Sequence, residues 1–565
     1  SSLVVRAFAS DLIGNTRTSA PLSLLMTDAD ITPPETIITS AVAGSSNSIV
    51  TLSYRVTEGL DDLSEVGVYY RRNGIGTFNR WTEVDGTNVL GRYLPAAGSN
   101  GVVVFDATKM GGDGVYEFYT VGVDARGNRE LPPVLPDQTF SVAPFFTWTT
   151  VTSGTFISAI DGNYEDQNLR LSNAYVVIEG AHTFGNIELL GTSRITHAAT
   201  TTTNEPQFNL TAWTISVASN ASIDVTGRGY LGGWQGDNAS VLGRTTNNAF
   251  GSTVRSAGSY GGIGGIVSGV PNNLYGSVTA PIELGSGGSS NGGSTWKGGN
   301  GGGRIAINAI NIAADGPIRA NGDPNLGDNS GSGSGGSVYL ITRTLSGTGW
   351  VEANGGGNQV GGGGGRVAVH HIDLATKDPT QIRALGGDGT TVDGGNGTVF
   401  LLGFGSSNGT LVVDGQGVSS PFSSLPIPVG FTFDNIIIRN NARAIVDDPI
   451  IVNDSLRIET GSILTHSVAQ TNGLRINAAR VIVDGTSAID VTGKGYRGGR
   501  RDGNVSNSGE TLGGQAGATI VRSGGSYGGL GANGGGEGSN LVYGAPDQPD
   551  YLGAGGSSNG GSTYP

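Results

Sequence analysis

The chain has no cysteine, which excludes disulfides, thiolate metal sites and thiol catalysis. Charge is scarce too. Asp, Glu, Lys and Arg make up 14% of the residues, against an ordinary share of about 25%. The 46 acidic and 32 basic side chains leave a net charge of −14, and an acidic chain without a basic patch excludes nucleic acid as a partner. No run of 18 apolar residues occurs, so this segment has no membrane span. Glycine lacks the strict three-residue period of collagen. Long blocks of like charge are also missing, and the 36% of apolar residues recur in alternating runs, which excludes disorder. No helical period is readable, so the expectation is an all-β protein. What is abundant is glycine, 100 of 565 residues, more than twice the usual share of about 7%.

The first ~145 residues are ordinary in glycine and rich in alternating strands. Ile49–Val56, Val66–Tyr70, Val102–Phe105 and Val115–Val123 are separated by Gly, Asn and Asp clusters, the pattern of an antiparallel sandwich over 31–143. The segment Phe8 to Asn15 matches Val121 to Asn128 in an apolar-x-x-Asp-x-x-Gly-Asn pattern. Residues 1–30 therefore read as the last strands of a preceding sandwich, followed by a linker through Pro33 and Pro34.

From 144 onward, glycine-rich stretches separate short strands. Strands starting at Ile305, Val338, Val367 and Val399 lie 33, 29 and 32 residues apart. Each is followed by a second strand, at Ile318, Val351, Ile382 and Val412. That period predicts a solenoid, a parallel β-helix in which coils bury one another's apolar side chains. A longer repeat overlies it. Ser222–Tyr230, Gly258–Gly262 and Leu284–Thr295 return as Ala488–Tyr496, Gly525–Gly529 and Leu552–Thr563 at offsets of 266, 267 and 268. The expected units are thus 144–430, the first long repeat, and 431–565, a partial second one, with both ends reading as cut from a longer array. Runs such as Gly361 to Gly365 exceed what turns need. They are either flexible loops or extended stretches packed on neighbours, and the retained Tyr260/Tyr527 and Tyr275/Tyr543 favour order.

Glycine abundance manufactures false motifs. Gly288-Ser289-Ser290-Asn291-Gly292 satisfies G-x-S-x-G without the strand–turn–helix context of a nucleophile elbow. The five histidines, His182, His197, His370, His371 and His466, show no metal-ligand spacing. Adjacent His370 and His371 should face opposite ways, one exposed and one packed. Asp224 with Arg228 and Asp490 with Lys494 are the sharpest acid–base pairs. Their duplication at one strand-to-turn position points to turn-stabilising carboxylates. Asp11, Asp28, Asp30 and Glu35 offer hard oxygen ligands, a candidate interdomain calcium site.

The N-terminal half resembles bacterial Ig-like or fibronectin-III-like modules, which begin with a Pro-Pro-Glu-Thr-like stretch (Pro33 to Thr36 here) and end in Asp-x-x-Gly-Asn (Asp124 to Asn128). The glycine-rich half resembles repeat regions of large bacterial surface and adhesin-like proteins. Their units read GGG-R-[IV]-A-[IV] followed by [IV]-x-A-x-G, here Gly303 to Ile307, Ile318 to Gly322, Gly365 to Val369 and Ile382 to Gly386. The resemblance implies an extracellular or cell-surface structural or adhesive role, with self-association or continuation into further repeats and surface glycans as partners. The alternatives are a carbohydrate-active β-helix enzyme, a polysaccharide lyase or hydrolase, and a non-catalytic glycan-binding module.

Overall fold

The computed structural model describes residues 2–5, 8–10, 16–20, 22–25, 32–43, 49–74, 77–81, 93–95, 98–107, 114–142, 148–403, 406, 408–416, 421–425, 427, 430–517, 522–534 and 538–559. Among these the chain is all-β, with no α-helix and with large parallel sheets. It divides into two compact units, 1–145 and 146–565.

In the first unit, two antiparallel sheets share one core. Glu35–Ala43, Ile49–Glu58 and Asn100–Asp106 form one sheet, and Leu63–Arg72, Asn79–Arg80, Gly114–Asp124 and Gln138–Val142 form the other. Alternation puts Val50, Leu52 and Tyr54 inward from one sheet to meet Val66, Val68, Tyr116 and Phe118 of the other, around the buried Trp81 and Phe105. The Asp-x-x-Gly-Asn signature is a turn closed by its own carboxylate. Asp124 accepts from the backbone N–H of Arg126 and of Asn128, both at 2.8 Å, and from Asn128 Nδ2 at 2.6 Å. Of the earlier copy of this motif, residues 11–15 lie outside the described residues.

The second unit is a stack of rungs. Its long sheet runs through Trp148–Val151, Asn168–Ser172, Asn186–Leu190, Phe208–Val217, Arg304–Ala314, Ser337–Ser346, Arg366–Asp373 and Thr398–Leu402, every neighbouring pair parallel. A second sheet follows rung by rung through Thr155–Ile157, Tyr175–Ile178, Arg194–Thr196, Ser222–Asp224, Ile318–Arg319, Val351–Glu352 and Ile382–Arg383. The inward residues of both walls, among them Ile215, Ile223, Ile305, Ile318, Val338 and Val351, are fully buried in one cluster. No single rung could bury them; stacking does.

The segment Thr410–Asp414 departs from the expected fourth unit. Instead of joining the second sheet as Ile318–Arg319 and its equivalents do, it turns back at Gly409 (φ +69°) and pairs antiparallel with Thr398–Leu402. From there the long sheet resumes parallel pairing through Thr432–Arg439, Ile450–Ile458 and Ile476–Val483. The core changes sides at this seam. Val367, Val399 and Val412 belong to the first cluster, whereas their strand neighbours Ala368, Phe400, Leu411 and Val413 belong to a second cluster with Phe433, Ile436 and Leu456. Adjacent residues of a strand point to opposite faces, so one continuous sheet is covered on one face before the seam and on the other after it. Uninterrupted apolar runs such as Leu411-Val412-Val413 are what two-sided burial demands.

The glycine stretches are ordered. Between Arg319 and Ser337 the chain runs out and back, and the returning arm, 331–336, is buried. Its N–H groups point in three directions by turn. Gly331 and Ser334 donate to Ser289 and Ser286, Ser332 and Gly335 to Val360 and Gly363, Gly333 and Gly336 to Asp323 and Ala320. In the next rung, Gly361 and Gly364 donate to Val392 and Gly395, while Gly362 and Gly365 donate to Gly356 and Ala353. The period of three is that of an extended threefold screw, as in polyproline II. Because neighbours surround such an arm, the side-chain positions are filled by other backbones. A Cβ on Gly333 or Gly362 would stand less than 3.0 Å from backbone carbonyl oxygens, and neither residue has positive φ. Close approach, and not turn formation, requires these glycines. The expected tyrosine anchors are present. Tyr260 and Tyr275 pack at 4.7 Å, with Tyr275 Oη donating to the Leu284 carbonyl at 2.6 Å, and Tyr527 and Tyr543 repeat the pair at 5.1 Å.

Candidate functional site

The second sheet carries its charges in a row. The register aligns Asp224 with Arg319, Arg319 with Glu352, and Glu352 with Arg383. In each two-residue strand the first position (Ile318, Val351, Ile382) is buried in the core, so the second position faces outward, and acid and base alternate from rung to rung. Arg319 Nε donates to Asp224 Oδ2 at 2.7 Å, and Arg383 Nε donates to Glu352 Oε2 at 2.8 Å. Arg194, one rung earlier, donates from Nη2 to the Asp224 carbonyl at 3.0 Å and lies 3.5 Å from its carboxylate. At the far end the Arg383 guanidinium lies 3.8 Å from the centre of the Trp350 ring.

The pairings expected from sequence spacing differ from those formed. Gly227 (φ +66°) turns the chain directly after the Asp224 strand and carries Arg228 out of the row, where its Nη2 donates to the Tyr175 hydroxyl at 2.9 Å. Asp224 takes Arg319 instead, 95 residues later, and accepts from Thr226 N at 2.9 Å. It is a turn carboxylate and a rung-to-rung tie at once. In the second copy Asp490 caps the equivalent turn through Thr492 N at 2.9 Å, and the Lys494 ammonium lies 5.6 Å from the centre of the Phe422 ring.

Next to the row is a cleft of about 640 Å³. Arg194, Arg228 and Arg319 bring three guanidinium groups to it, and Asp224 and Asp323 bring two carboxyls. The carboxyls differ. Burial pushes Asp224 up, but the hydrogen bonds from Arg319 and Thr226 and the charge of Arg194 outweigh it, and the group is held below the usual carboxylate range. Burial dominates at Asp323, with Asn300 Nδ2 only at 3.5 Å, and its carboxyl is pushed up. Among the described residues no carboxylate lies within salt-bridge distance of Arg228, whose guanidinium donates to the Tyr175 hydroxyl. Sequence reasoning missed Arg194, Arg319 and Asp323. The signal available was the alternation at the second position of successive short strands: Ile223-Asp224, Ile318-Arg319, Val351-Glu352, Ile382-Arg383.

The remaining candidates are placed as follows. Glu35 is exposed, opposite Glu58, and Asp11, Asp28 and Asp30 lie outside the described residues. Among the described residues no group of three or more His, Asp or Glu side chains is arranged to hold a metal ion. Ser289 of the false elbow is buried, its Oγ donating to the Ser256 carbonyl at 2.9 Å. His370 and His371 do face opposite ways, but both are half-buried, which corrects the expected exposed one. His370 hydrogen-bonds the Thr279 carbonyl at 2.9 Å and packs edge-on to Tyr339 and Phe400. His197 is a bolt between rungs. Its Nδ1–H donates to the Ala198 carbonyl at 2.8 Å and its Nε2 accepts from Arg304 N at 3.1 Å, and burial pulls its pKa down to about 4.

No protein-family model, curated protein or solved structure matches the chain.

Proposed function

We propose that this chain is a structural and adhesive repeat segment of a bacterial surface fibre, sheath or adhesin, built as an Ig-like or fibronectin-III-like module followed by a glycine-rich parallel β-helix. The observation that carries this reading is the unbroken run of paired strands from Trp148 to Val483 through one long sheet, tied between rungs by the acid–base row and by the glycine arms. Such a construction devotes its charged and small residues to cohesion along one axis, the requirement of a load-bearing element.

Self-association, or continuation into further repeats, belongs to the same proposal. Leu474 to Val491 repeats Phe208 to Val225 at the constant offset of 266. In the first copy, Phe208–Val217 is covered by Arg304–Ala314, and Ile215 and Val217 are fully buried. Their counterparts Val481 and Val483 are 46% and 40% exposed, an apolar edge fitted for a further parallel strand. Electron microscopy of the native material, with immunogold labelling of intact cells, tests the proposal. Labelled surface filaments are the expected result. Dispersed compact particles confined to the cell interior would overturn it.

A further inference from the structure

We propose that the cleft formed by Arg194, Arg228, Arg319 and Asp323 is a binding site for a carboxylated saccharide, the uronate residues of an acidic polysaccharide. The net charge of −14 disfavours any anion at long range, so a cleft where three guanidinium groups outnumber two carboxyls is a local cationic excess that needs a reason. Cohesion between rungs accounts for two of them. Arg319 is spent on Asp224, and Arg194 on the carbonyl and carboxylate of the same residue. It does not account for Arg228. Among the described residues its guanidinium makes one hydrogen bond, to the neutral hydroxyl of Tyr175, and its charge acts on the Asp323 carboxyl across the same cleft without a salt bridge. A guanidinium held in place but not paired bidentately presents the planar fork that matches a carboxylate in two parallel hydrogen bonds.

The surroundings match the remainder of a sugar. Tyr175 is 41% exposed, and its ring lies outside the cleft's lining with the Arg194 guanidinium over it, 5.9 Å from the ring centre, so the tyrosine holds two of the cations in place. Asp323 and Asn300 supply carboxyl and amide groups for ring hydroxyls. The volume of about 640 Å³ falls in the range of sites that hold small ligands. The Asp323 carboxyl packs where a side chain on residue 227 would stand, so Gly227 lets that carboxyl reach the cleft. In the second copy Ile463 stands opposite Ala488 where Arg194 stands opposite Ser222, so the full set of guanidiniums belongs to the first copy.

Isothermal titration of the full chain with trigalacturonate, with maltotriose as the neutral counterpart and a sulfated oligosaccharide of equal length, tests this. Trigalacturonate is expected to bind, at least tenfold more tightly than maltotriose, and to weaken as salt rises. Arg228→Gln is expected to lose that preference. Arg228→Lys, which keeps the charge and removes the fork, is expected to lose about tenfold, with the circular dichroism spectrum unchanged for both. Equal binding of the neutral sugar, tighter binding of the sulfated one, no binding of trigalacturonate, or full affinity in a folded Arg228→Gln variant would each overturn the assignment.

Discussion

At the scale of single residues, the informative groups are those whose environment fixes one protonation state. His197 is neutral because its Nδ1–H donates to the Ala198 carbonyl and its Nε2 must accept from Arg304 N. Its folded pKa of about 4 lies below the ordinary value of about 6.5. Between these values the unfolded chain binds a proton that the folded one refuses. The stability conferred by the neutral ring is therefore complete above pH 6.5 and lost as pH falls toward 4, about 3 kcal/mol in all. Thermal unfolding from pH 7 to pH 4 should show this decline, and His197→Gln should flatten it. Asp323 gives a second expectation. Its carboxyl is pushed up by burial, and Arg194, Arg228, Arg319 and the ionised Asp224 face the same cleft. Uronate affinity should rise as pH falls through the titration of Asp323, because a negative charge leaves the site. In Asp323→Asn it should be flat over the same range. Of this site the sequence made Asp224 legible as a turn carboxylate, since turn chemistry is local. Its true partner was not, because Arg319 arrives through the stacking register and not through nearness in the chain.

At the scale of elements, the claim that glycine arms are structure and not slack is open to direct measurement. The N–H groups of Gly361 to Gly365 all donate to backbone carbonyls, so their amides should be strongly protected in hydrogen exchange, where a flexible loop would exchange within seconds. Gly362→Ala should destabilise the second unit by about 3 kcal/mol through backbone overlap. Gly162→Ala, whose Cβ would meet no atom within 4 Å, should change stability by less than about 0.5 kcal/mol. The melting temperatures of the two variants check both. The period near 30 residues was enough to place the stacked strands, because each rung repeats the same inward residues. The fourth unit misled, since Val412-Val413-Asp414-Gly415 imitates a second-sheet strand. The distinguishing feature is the apolar Leu411 before it, which makes the strand two-faced. Out-and-back glycine arms left no periodic apolar signal, and only the retained tyrosines betrayed their order.

At the scale of the molecule, the cores are separate. The cluster around Trp81 and Phe105 lies wholly within residues 1–145, and the two clusters of the stack lie wholly within 146–565. A chain beginning at Phe146 should therefore fold alone with the melting temperature that its transition shows in the intact protein, measurable by circular dichroism. The division near residue 145 could be read from the change in composition. The sharing of one sheet by two cores could not, because it depends on which face each rung covers.

That shared sheet has a geometric consequence. Reversing strand direction while moving the covered face to the other side leaves the sense of winding unchanged, so the seam between Thr398–Leu402 and Thr410–Asp414 shifts the column sideways without inverting its screw. An array that kept one such seam in each 266-residue block would be a staggered zigzag, its columns alternating left and right of a common spine. Its true translational unit would span two blocks, and a diffraction or image-averaging experiment would find twice the spacing that the amino-acid repeat implies.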